Sequence, residues 1–120
     1  MTDTLADEEL TRRVRHLLES APETALPLTY QQLAEALELT PPRTIRRVAL
    51  ALEALMREDA RAKRPFLAAL VVGRQGEGLP RVGFFELAVE LGRFPEGSNA
   101  QVMAWQEEFR LAVSARSTGH

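Results

Sequence analysis

The sequence predicts a mainly α domain with a small β-wing, a winged helix-turn-helix carrying an extra C-terminal helix. Three observations predict it. Residues 28–40 read as a short capped helix and a turn. Residues 41–62 carry a long amphipathic pattern opened by two prolines and three arginines, Arg43, Arg46 and Arg47. Residues 66–72 are continuously apolar and run into a glycine-rich stretch, the order of a strand and a wing.

At 120 residues the chain is one domain, large enough for one packed core and too small for two. Its expected parts are an N-terminal helix within 1–22, the helix-turn-helix and wing over 28–82, C-terminal helices over 83–115, and a frayed tail over 116–120.

Thr4 to Ala21 predicts the first helix. Thr4 is placed to cap it, and Asp7, Glu8 and Glu9 suit the positive end of its dipole. Leu10, Val14, Leu17, Leu18 and Ala21 form its inward stripe, which leaves Arg12, Arg13 and Arg15 for solvent. The two prolines of 22–27 stop the helix there. Tyr30 to Glu38 predicts a second helix. Thr29 and Gln32 have the spacing of a capping box, and Leu28 and Leu33 that of a hydrophobic staple.

A third helix is expected from Pro41 to about Ala62, with Thr40 as cap and Pro41 at the first helical position. Ile45, Val48, Ala49, Leu52, Leu55 and Met56 make its apolar stripe. Arg43, Arg47, Arg57 and Arg61 point the other way, Arg46 is on the flank, and Leu50 falls among the arginines. Phe66–Val72 predicts a buried strand, and the wing follows in residues 74–80. Residues 84–91 fit either a strand or a helix; Gly92 at a C-cap position favours the helix. Ser98 and Gln101 suggest another capping box, opening a last helix to about Ala115 lined by Val102, Trp105, Phe109 and Val113.

The net charge is −2, so the whole-molecule field does not argue for nucleic acid. Its distribution does. Between Pro41 and Arg81 stand nine Lys or Arg against four acids, a local surplus of five, and the rest of the chain carries seven net negative charges. No cysteine is present, which excludes disulfides and thiol catalysis. No Ser-His-Asp set, metal-ligand spacing or phosphate-loop pattern is visible, so no catalytic, metal or cofactor residue is assigned. Acid pairs such as Glu53/Glu58 and Glu107/Glu108 read as solvated helix faces. The acidic start and the lack of a membrane-length apolar run lead to the expectation of a cytoplasmic protein with no membrane partner.

Three stretches carry a family resemblance: Tyr30-Gln31-Gln32-Leu33-Ala34, then Pro42-Arg43-Thr44-Ile45-Arg46-Arg47-Val48, then Val71-Val72 with Gly76. Together they resemble the DNA-binding domain of alkylguanine-DNA alkyltransferases and alkyltransferase-like proteins, over roughly half of the chain. The resemblance implies a winged-helix scaffold and double-stranded DNA as partner, with Arg46 in the place of the family's base-displacing arginine. The active site departs from the pattern. Leu67-Ala68-Ala69-Leu70 stands where the family has Pro-Cys-His-Arg, so Ala68 replaces the nucleophile. Alkyl transfer needs a thiolate, and that activity is excluded. The alkyltransferase-like proteins keep the His-Arg pair, which this chain also lacks.

The expected function is therefore non-enzymatic DNA binding. Tyr30, Arg43, Thr44, Arg46 and Arg47 would contact DNA from the helix-turn-helix, and Arg74, Gln75 and Arg81 from the wing. With an apolar pocket wall at 67–70, no extruded base is expected. The alternative is a protein-interaction or homodimerisation module on the same scaffold, motivated by Leu50 on the polar face. The two part on charge: arginines neutralised by Glu35, Glu38, Glu53 and Glu58 would favour a protein partner.

Overall fold

The computed structural model describes residues 2–73 and 78–117, with side chains over 7–73 and 78–116. Among the described residues, five α-helices and one two-stranded parallel sheet make up the fold. Their order is α1 (Thr2–Ser20), β1 (Leu28–Thr29), α2 (Tyr30–Ala36), α3 (Thr44–Arg61), β2 (Val71–Val72), α4 (Val82–Glu90) and α5 (Ser98–Ser117).

Residues 66–72 run through the middle, every one of them buried. The apolar faces of α1, α2 and α3 close on one side of this segment through Val14, Leu18, Leu33, Val48 and Leu55. On the other side α5 contributes Ala112 and Trp105, whose Nε1–H donates to the Ala69 carbonyl at 2.9 Å. Phe84 and Phe94 pack around Phe66 with ring centroids 6.2 and 6.4 Å away, and the Arg93 guanidinium covers the Phe66 ring at 4.2 Å.

The capping box at Thr29 and Gln32 is formed. Thr29 Oγ1 accepts from Gln32 N at 3.0 Å, and Gln32 Oε1 accepts from Thr29 N at 2.9 Å. Helix α2 ends at Ala36 because Glu38 takes a left-handed conformation, φ 58°, and closes a Schellman turn through Leu39 N and Ala34 O. Residues 84–90 belong to a helix, α4, with Leu91 as its C-cap and Gly92 at φ 79° stopping it as expected.

Several boundaries differ from expectation. Helix α1 begins at Thr2, so Thr4 lies within the helix and does not precede it. Helix α3 begins at Thr44, not Pro41. Pro41 precedes a second proline, which disfavours helical backbone, and Arg43 is the N-cap at φ 64°. Helix α5 takes Ser98 as its first residue, and the Gly97 carbonyl receives Gln101 N at 2.9 Å, so Ser98 is not the cap. Arg116 and Ser117, expected in a frayed tail, continue α5; residues 118–120 lie outside the described ones.

The largest difference is at 66–72. Residues Leu67–Leu70 form a 3-10 turn, and only Val71–Val72 are extended. An unbroken apolar run signals burial on all sides and does not distinguish a buried turn from a strand. Two alanines also give little side chain to pack on a pleated surface. The two-residue strand pairs in parallel with β1, Leu28 opposite Val71 and Thr29 opposite Val72. Sheet and helix are thereby coupled: the residue after Thr29 is Tyr30, the first of α2.

Candidate nucleic-acid interface

A cavity of about 360 Å³ opens between α2, α3 and the start of α4. Tyr30, Arg46, Glu53 and Arg81 are its polar walls, and Ala68 lies on its apolar lining with Met56 and Phe84. Each polar group is held by a different element. Tyr30 is fixed where β1 turns into α2, and only 6 % of it is exposed. Arg46 stands on the first turn of α3 and is exposed. Arg81 is the N-cap of α4, with its guanidinium 5.3 Å from the Tyr30 ring centroid. A hydrogen bond from Gly73 N to Leu79 O at 2.8 Å brings the chain back beside β2, so that Arg81 reaches this position.

Burial pushes the Tyr30 phenol up to about 12, although the nearby Arg81 charge pulls it down. Tyr30 is therefore a neutral hydroxyl at physiological pH, able to donate to an anion.

The Leu67–Leu70 segment is apolar in its side chains, as expected, but the cavity as a whole is not. Glu53 and two arginines stand on its walls, so the premise behind excluding an extruded base does not hold there. Glu53 was legible as a wall residue: it lies two helical turns after Arg46 and shares its face.

The exposed face of α3 is cationic and largely unpaired. Among the described residues, Arg43, Arg46, Arg47 and Arg61 take part in no ion pair, and Arg57 meets Glu53 only at 3.9 Å. Glu58 is turned toward α1, where it pairs with Arg15 at 2.9 Å. The α3 arginines are thus not neutralised by Glu35, Glu38 or Glu58.

Of the expected contact residues, Tyr30, Arg46 and Arg81 converge on the cavity. Arg43 and Thr44 stand beside it at the start of α3. Arg47 does not join them; it points to the opposite flank, into a groove against α1. Arg74 and Gln75 lie outside the described residues.

Two carboxylates and one arginine are structural, Glu108 and Arg15 among them against the expectation of solvated faces. Asp59 is fully buried, with Arg15 at 3.0 Å, Arg64 at 3.1 Å and the Leu67 amide at 3.1 Å. Glu108 is buried too, holding the Phe66 amide at 2.7 Å and Arg93 at 2.6 Å. Arg15 is turned inward by this network: burial disfavours its charge, but Glu58 and Asp59 outweigh that and raise its pKa.

Among the described residues no group of His, Asp or Glu could hold a metal ion, and no helix is long and apolar enough to cross a membrane. Comparison with family models, curated proteins and solved structures returns no match.

Proposed function

We propose that this chain is a non-enzymatic DNA-binding module of winged-helix type, with α2 and α3 as its helix-turn-helix. One observation carries the reading: unpaired arginines along the exposed face of α3 stand next to a cavity walled by Tyr30, Arg46 and Arg81. Arg43 and Arg46 contact phosphates or groove edges, and the first-turn amides of α3 with Thr44 add phosphate contacts. Tyr30 donates its neutral hydroxyl and Arg81 approaches the backbone from the α4 side. The element order of helix, strand, helix, turn, helix and strand supports the scaffold.

The testing experiment is a fluorescence anisotropy titration of a labelled duplex at increasing salt. Binding carried by phosphate contacts weakens linearly on a log-log plot. No binding at tens of micromolar in low salt removes the proposal, since ordinary non-specific affinity is about 10⁻⁴–10⁻⁶ M at physiological salt and tightens as salt falls.

A further inference from the structure

A second concavity, independent of the DNA reading, lies on the other flank of α3. It is an open groove of about 700 Å³ between α1 and α3. Its floor is small and apolar: Leu10 and Ala51 are buried, and Ala54 is half-buried. On its rim stands Leu50, 51 % exposed, the most exposed leucine among the described residues. Arg47 precedes Leu50 by about one helical turn, and Glu58 follows Leu50 by about two turns, both lining the same groove.

Between Arg47 and Glu58 this pattern is complementary to itself, while Arg43 and Arg61 fall opposite each other at the exposed ends of such a pair and weaken it. Consider a second copy laid antiparallel on α3, with the two-fold axis level with Leu52 and Glu53. Arg47 of each copy then meets Glu58 of the other. Leu50 of each falls beside the other's Ala54 and Ala51, where the small side chains leave a hole for it. A two-fold axis repeats both contacts, so one apolar pair and one ion pair per copy become two of each. Glu58 already binds Arg15 in the monomer, but its side chain is 43 % exposed and a carboxylate accepts several donors. Exposed Asp7 and Glu8 with Arg12 on α1 give the rim both signs of charge, which suits a partner of the same composition.

We infer that the α1–α3 groove is a self-association surface, in which two copies pair antiparallel along α3 through Leu50 in the partner's groove and Arg47 against the partner's Glu58. The pairing occupies the Arg47 flank of α3 and leaves the Tyr30–Arg46–Arg81 cavity open. The contact is small, so association is weak, with a dissociation constant on the order of micromolar to millimolar.

Sedimentation velocity over a concentration series tests this with a charge swap. The wild-type chain shifts from monomer toward dimer as concentration rises. Arg47→Glu alone and Glu58→Arg alone each abolish the shift, because each faces a like charge across the axis. An equimolar mixture of these two variants regains it, since the heterodimer restores two opposite-charge pairs. Leu50→Glu abolishes it in every background. Circular dichroism shows that each variant is folded, and Arg47→Glu, whose side chain forms no ion pair among the described residues, keeps the test usable if Glu58→Arg unfolds. A wild-type chain that stays monomeric up to about 1 mM overturns the inference. So does a dimer insensitive to Leu50→Glu or Arg47→Glu, or a mixture of two folded swap variants that stays monomeric.

Discussion

Asp59 and Glu108 hold two neighbouring backbone amides: Asp59 Oδ2 accepts from Leu67 N at 3.1 Å, and Glu108 Oε2 accepts from Phe66 N at 2.7 Å. One carboxylate comes from α3 and the other from α5. Between them they fix the entry to the 3-10 turn that carries Ala68 to the cavity. Their arginine partners, Arg15, Arg64 and Arg93, compensate the buried charge.

Removing either carboxylate strands a buried amide and leaves an arginine without its partner. Asp59→Ala is expected to cost about 3 kcal/mol, and Glu108→Ala a similar amount, in urea denaturation. Both act on one turn, so the double variant should cost less than the sum. Losses below about 1 kcal/mol for both would mean the turn is held by packing alone.

Arg116 ties the end of the chain to its beginning. Its Nη1 donates to the carbonyls of Leu18 at 2.7 Å, Glu19 at 3.2 Å and Ala21 at 2.6 Å, at the end of α1. The last turn of α1 has no basic residue of its own, so Arg116 supplies the cation that the helix dipole favours there. Arg116→Ala should lower stability by about 1.5 kcal/mol. Arg110→Ala, which breaks an exposed pair with Glu107, should leave the denaturation midpoint unchanged.

Tyr30 is the one tyrosine of the chain, so its titration can be read directly by tyrosinate absorbance. The midpoint should be about 12 in the folded protein, against the ordinary 10. Since the folded-state pKa is the higher, the folded protein holds the proton more tightly. The corresponding stability is fully present below pH 10 and is lost as pH rises toward 12. A midpoint near 10 without unfolding would contradict the burial of this side chain.

Much of this architecture was legible because it rests on periodicity and capping. The Thr29–Gln32 box, the stripe from Ile45 to Met56, and the Gly92 stop each correspond to a formed feature. The start of α3 was not, because a proline suits a first helical turn while Pro42 bars the preceding Pro41 from helical backbone, and the two signals conflict. The 66–72 segment departs from expectation for a different reason: burial on every side erases the period that separates strand from turn. Asp59 carried an overlooked signal, since it continues the Leu52, Leu55, Met56 stripe at helical spacing and had to face the core. Glu108 and Arg15 gave no such signal; their partners come from distant parts of the chain. The convergence of Tyr30, Arg46 and Arg81 required the parallel pairing of β1 with β2, which no local pattern announces.

The central claim is tested most directly by the salt dependence of duplex binding in the wild-type chain and in Arg46→Ala, followed by fluorescence anisotropy. The account predicts affinity that falls steeply with salt, weaker binding by Arg46→Ala at every salt concentration, and a slope smaller by about one unit. Absence of binding by the folded wild-type chain at low salt, or an Arg46→Ala variant indistinguishable from it in affinity and slope, would contradict the account.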